Sequence, residues 1–101
     1  MDPRQLGRAI RDRRGGLNMT QPELADRAGV SLAYVHMLEA GGLPQPGLDP
    51  LRRVAGALGF SRLAALLGDI AGLNGVAKLP PSVESLAISD AVDQFLRELR
   101  A

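Results

Sequence analysis

"TQPELADRAGVSLAYVHMLEAG", Thr20 to Gly41, places apolar residues at helical spacing on both sides of a single glycine. Leu24, Ala25 and Ala28 share one face of a first short helix, about Gln21 to Ala28. Thr20 is its N-cap, Pro22 is tolerated in its first turn, and Glu23 sits at the positive end of the helix dipole. Gly29 supplies the backbone freedom that a left-handed helix end or tight turn requires. Ser31 then caps a second helix, about Leu32 to Ala40, whose inward positions are Val35 and Leu38. That arrangement leaves Leu32, Ala33, His36 and Met37 on the face that meets water.

Two short helices joined by a glycine-containing turn form a helix-turn-helix when a small residue lets them approach and apolar residues lock the crossing. Leu24 and Ala28 bury the first helix, Ala25 is small enough for close contact, Val30 plugs the corner, and Val35 with Leu38 holds the second helix down. A hairpin that served only a core would explain the turn but not the exposed face of residues 32 to 40.

The flanks extend the helical pattern. A helix is expected from near Pro3 to Arg14, with Leu6 and Ile10 buried and Gly15–Gly16 ending it. After "LPQPG", Asp49–Pro50 opens a helix with Leu51, Val54, Ala55 and Leu58 on one face, closed by Gly59. Ser61 caps a fifth helix carrying Leu63, Leu66, Leu67 and Ile70. The stretch "AGLNGVAKLPP", residues 71 to 81, reads as a linker, because glycines, Asn74 and Pro80–Pro81 interrupt every periodicity. Beyond it Ile88, Val92, Phe95, Leu96 and Leu99 form an amphipathic stripe.

Composition agrees with an all-α chain. The 101 residues include only two Phe and one Tyr, so the core must be built from Leu, Ala, Val and Ile. A length of this order suits one compact domain with an appended element. There is no cysteine, which excludes disulfides and thiolate metal sites. The charged start is unlike a signal peptide, and no apolar run approaches the roughly 20 residues that span a bilayer, so a soluble, cytoplasmic protein without membrane contact is expected.

Net charge is +1, yet Arg4, Arg8, Arg11, Arg13 and Arg14 crowd the N-terminal segment against Asp2 and Asp12. His36 is the single histidine, and no phosphate loop, metal-ligand cluster or nucleophile–base set is present. A non-enzyme without metal or cofactor is expected.

On "TQPELADRAGVSLAYVHMLEAG" and "LDPLRRVAGALGF", the chain resembles the phage repressor and Cro-type, or XRE-type, helix-turn-helix regulators. The resemblance covers about Leu6 to Leu67. It implies a five-helix domain, residues 1–70, that binds double-stranded DNA with its third helix in the major groove. By this resemblance Ser31, Leu32, Ala33, His36 and Met37 face the bases. Gln21 contacts a phosphate and Tyr34 a phosphate or sugar; apart from the resemblance, Arg11 and Arg13, if they face the duplex, and Arg52 or Arg53 are the expected further phosphate contacts. Arg14 and Glu39 match positions that form an internal ion pair in relatives.

The chain departs from relatives that read purines with Gln, Asn, Arg or Lys, because Leu32, Ala33 and Met37 offer no hydrogen bonds. Apolar side chains can contact thymine methyls and His36 can donate or accept, so modest base specificity supported by DNA shape is expected. The link "GGLPQPG" also lacks the basic residue that relatives often set against the backbone.

The C-terminal helix, residues 82–101, must bury its stripe either on its own domain or against a second chain. Dimerisation through Ile88, Val92, Phe95, Leu96 and Leu99 is the favoured expectation, since a two-fold pair reads two half-sites about 34 Å apart. The expected function is a sequence-specific, dimeric transcriptional repressor. The alternative is a protein-interaction adaptor or antitoxin that offers the apolar face of residues 32 to 40 to a protein partner.

Overall fold

A computed structural model of the chain describes residues 2–72 and 81–100, and these form six α-helices with no strand among them. They are α1 (Pro3–Gly16), α2 (Gln21–Ala28), α3 (Leu32–Ala40), α4 (Leu48–Ala57), α5 (Ser61–Ile70) and α6 (Pro81–Arg100). Residues 73–80, most of the expected linker, lie outside the described residues.

Local chemistry explains most of the boundaries. Asp2 caps α1 by accepting from the Arg4 amide at 2.9 Å. At the start of α2, the Thr20 hydroxyl accepts from the Glu23 amide and the Glu23 carboxylate accepts from the Thr20 amide, each at 3.2 Å. Those bonds from Thr20 hold the Glu23 carboxyl below the usual carboxylate range. Ser31 caps α3 through the Tyr34 amide at 3.0 Å.

Three boundaries differ from the sequence expectation. Helix α1 runs through Gly15 and Gly16, and the chain reverses instead at Leu17–Asn18, where Asn18 takes φ 54°. Asparagine tolerates this left-handed conformation, and the Met19 amide closes the turn onto the Arg14 carbonyl at 3.1 Å. Helix α4 begins at Leu48 after Gly47, so Asp49 and Pro50 lie inside its first turn. Ser61 is the first residue of α5 rather than its cap, and Leu66, expected inside, is exposed.

The bend between α2 and α3 depends on Gly29, which adopts φ 68° and ψ 35°. Its amide and that of Val30 return to the Asp26 and Ala25 carbonyls at 3.2 and 3.0 Å. A β-carbon here would stand 3.4 Å from the Arg53 guanidinium, an ordinary contact, so any penalty is one of backbone conformation. Gly29→Ala is expected to cost about 1–2 kcal/mol in a urea unfolding series. A loss below about 0.3 kcal/mol would show that the corner relaxes to accept a side chain.

Leu24, Val35, Leu38, Leu51, Val54, Leu58 and Leu67 are almost completely buried, so the core sits where α2 and α3 meet α4 and α5. Met19 also joins this core from the connection before α2.

Helix α6 packs on its own domain, one of the two arrangements expected for the tail. Ile88, Val92 and Leu96 are buried in the chain's own core, and Phe95 meets Phe60 edge to face with ring centroids 4.8 Å apart. The residual void at this joint, bordered by Ile10, Leu51, Leu63 and Leu96, is about 10 Å³ and lined by apolar side chains, so it offers a water molecule no polar partner. Ile88, Val92 and Leu96 are thus packed within the chain itself. The Leu99 side chain lies outside the described side chains. Burying these residues at home removes their apolar surface from water without the association entropy that a second chain would lose.

Candidate nucleic-acid interface

Helix α3 is apolar on two sides. Val35 and Leu38 are buried, whereas Leu32, Ala33, His36, Met37 and Ala40 are exposed. At about 100° per residue, the five exposed positions fall within an arc of about 140°. Leu32 keeps 40% and Met37 48% of its surface in contact with solvent. Burial of such side chains in a contact would be favourable.

The hydroxyl of Ser31 is engaged with the Tyr34 amide as the helix cap, although the residue itself is exposed. His36 is therefore the one side chain of the α3 solvent face whose polar atoms are not engaged in capping.

Three contacts fix the orientation of this face. The Arg14 guanidinium grips the Glu39 carboxylate with both prongs, Nε to Oε2 at 2.7 Å and Nη2 to Oε1 at 2.9 Å. Its third nitrogen donates to the Met19 carbonyl at 2.8 Å, so α1, the α1–α2 connection and the end of α3 share one residue. Side-chain exposures of 16% for Arg14 and 4% for Glu39 place the pair inside the fold. Donating to the Glu39 carboxylate raises the Arg14 pKa above its ordinary value. Gln21 completes the cluster, its Nε2 donating to Glu39 Oε1 at 3.1 Å.

Gly7 makes the second contact and had no role in the sequence reading. A β-carbon at this position would stand 2.5 Å from the carbonyl oxygens of both Leu38 and Glu39, so α1 crosses the end of α3 backbone to backbone. The available signal was an isolated glycine inside an otherwise regular amphipathic helix, which usually has a packing reason. The third contact spans α4 and the corner. Asp49 holds Arg52 at 2.7 Å and Arg53 at 2.9 Å, and Arg53 Nη1 donates to the Gly29 carbonyl at 3.4 Å. These arginines, Arg52 foremost, hold the Asp49 carboxyl below its usual range.

Three residues of the expected phosphate-facing set have other engagements within the fold. The Tyr34 hydroxyl is buried with no hydrogen-bond partner, and burial pushes its pKa far up, so it does not present a free donor to a backbone. Arg13 turns to the end of α4, where its Nε donates to the Leu58 carbonyl at 2.9 Å and its guanidinium lies 5.5 Å from the Phe60 ring centroid. Arg52 is held by Asp49, with its Nε buried. Gln21 points to Glu39 and sits at the first position of α2. Arg11 is exposed, one helical turn from both Gly7 and Arg14, on the flank of α1 that meets α3. Arg4 shares that flank and packs against Gly41. The sequence shows that arginines cluster, but their individual directions depend on carbonyls and rings contributed by α4 and α5.

Among the described residues no group of acidic, histidine or cysteine side chains is arranged to hold a metal ion, and no helix is long and apolar enough to cross a membrane.

A short capped helix, a left-handed glycine corner and a second short helix with an open outer face are the geometry of a helix-turn-helix. The family model for the helix-turn-helix of the XRE type, Cro- and C1-like, matches residues 10–68, which span α2 to α5 and the second half of α1. The chain belongs to this XRE-type family. The family is a DNA-binding regulatory domain, and the match supports DNA-binding transcription regulation as the function of this chain. Helix α3 is the second helix of the helix-turn-helix, and its outer face is the apolar arc described above. No curated protein and no solved structure gave a significant match.

Proposed function

We propose that this XRE-type protein is a sequence-specific repressor that lays α3 into the major groove of duplex DNA with Leu32, Ala33, His36 and Met37 toward the base edges. The observation that carries this reading is the open face of α3, apolar where a surface helix is normally polar and braced from behind by the Arg14–Glu39 pair. Arg11 and Arg4, on the flank of α1 beside α3, and the α2 N-terminus with Gln21 supply the phosphate contacts. Occupation of an operator obstructs polymerase.

Two copies bind together in this reading. Half-sites on one face of DNA repeat about every 34 Å. The longest dimension of the chain is 36 Å, so two copies side by side reach successive major grooves. Because the Ile88–Leu96 stripe is already buried, a surface other than that stripe joins them.

Selection of bound duplexes from a random pool tests the proposal. Enrichment of a two-fold symmetric site with half-sites one helical turn apart is expected. Affinity for the enriched site should fall with a log–log salt slope of about −0.9 per phosphate neutralised. Leu32→Glu should weaken binding at least tenfold by placing a charge beside the bases, with stability unchanged because the residue is exposed. An unenriched pool would reject the proposal, and retention of a protein partner by a DNA-inactive L32E variant would favour an adaptor instead.

A further inference from the structure

Resting on the DNA-binding reading above, we infer that α3 reads its half-site through the 5-methyl groups of pyrimidines, so that thymine and 5-methylcytosine are equivalent to it at the contacted positions. In the major groove a T·A pair presents the C5-methyl of thymine together with one donor and two acceptors, whereas a C·G pair has the same C5 position without a methyl and a different donor–acceptor pattern. A side chain that hydrogen-bonds discriminates between these patterns. One that only packs detects the methyl.

The outer arc of α3 is of the second kind. Leu32 and Met37, the two exposed large hydrophobic side chains of the helix, carry no donor, and the sulfur of methionine is a weak acceptor. Ala33, between them on the arc, offers a single methyl. The Ser31 hydroxyl accepts from the Tyr34 amide, which fixes its oxygen at the N-terminal edge of the arc and leaves its O–H as a donor at that edge alone. His36 remains as one polar reader among three apolar ones. The face is also held in place, since Glu39 is clamped by Arg14 and Gln21, and Gly7 locks the end of the helix against α1. A fixed apolar arc can therefore match a fixed row of methyl groups, each worth about a fourfold change in affinity by the ordinary value of one buried methyl-sized group.

The test uses the full chain and the duplex enriched by selection. Each thymine of a half-site is replaced in turn by deoxyuridine, which removes the methyl and leaves the base-pairing pattern intact. In a second series the same T·A pairs become C·G and then 5-methylcytosine·G. The expected result is a loss of about fourfold or more at two or three clustered positions with deoxyuridine. A comparable loss is expected with C·G, and recovery to within about twofold with 5-methylcytosine·G. Leu32→Ala should abolish the deoxyuridine effect at one of these positions and leave the others intact. Binding that is indifferent to deoxyuridine would overturn the inference and leave the regulator reading standing. Loss with deoxyuridine but no recovery with 5-methylcytosine would also overturn it, in favour of hydrogen-bonded or shape readout. Failure of any duplex to enrich would overturn both.

Discussion

Glu39→Ala will lower the free energy of unfolding by about 3–5 kcal/mol, because it strands the Arg14 guanidinium inside the fold without its counter-charge. Both prongs of that guanidinium end on Glu39, and Arg14 keeps only 16% of its side-chain surface in water. The third nitrogen would still reach the Met19 carbonyl, so the end of α1 would stay attached to the α1–α2 connection while α3 lost its tether. For a domain of this size the loss corresponds to a fall in Tm on the order of 15 °C. Chemical denaturation of the variant measures it directly.

A double replacement separates the two contributions of the pair. Arg14→Met with Glu39→Leu removes both charges and fills the space with apolar groups, so most of the lost stability should return. DNA affinity should not return with it, because Gln21 would no longer have an acceptor to hold it at the start of α2. A loss below about 1 kcal/mol for Glu39→Ala would mean that the pair behaves as an exposed one, and the bracing role would be rejected.

Gly7→Ala is the second large effect, and its sign opposes helix propensity. In an open helix the change should stabilise by about 1 kcal/mol. Here the new methyl would stand 2.5 Å from two carbonyl oxygens and 2.9 Å from the Glu39 carbonyl carbon, and backbone cannot swing aside as a side-chain tip can. Helix α1 must withdraw from α3 by roughly 1 Å to restore ordinary contact distances. A net loss of about 2–3 kcal/mol is expected, overpacking outweighing the propensity gain. The withdrawal also stretches the Arg14–Glu39 bonds, so DNA affinity should fall with stability. Gly15→Ala is the control, since a β-carbon there meets nothing within 4 Å and the variant should be unchanged or more stable. If Gly7→Ala and Gly15→Ala stabilise alike, the close crossing is absent.

These two results bear on different kinds of information. The helix-turn-helix was legible because its determinants are local: a capping threonine, a glycine at the corner and apolar residues spaced by one helical turn act within a few residues of one another. The exposed arc of α3 was legible for the same reason, as the complement of Val35 and Leu38 on one helix. The directions of Arg13, Tyr34 and Arg52 were not. Each depends on a partner or a packed surface that folding supplies, such as the Leu58 carbonyl 45 positions from Arg13.

The tail shows the same division. Its periodicity declared a helix with one sticky side, but the identity of the covering surface is a competition between the chain's own core and another chain. Periodicity along one helix carries no term for that competition. By itself the order of residues determined where the chain coils, where it bends and which faces are apolar, since short-range sterics and hydrogen bonding decide those. Only the tertiary structure decided that α6 closes the core at Phe60, that Gly7 lets two backbones touch, and which arginines remain available to a phosphate, because such outcomes depend on distances between segments far apart in sequence.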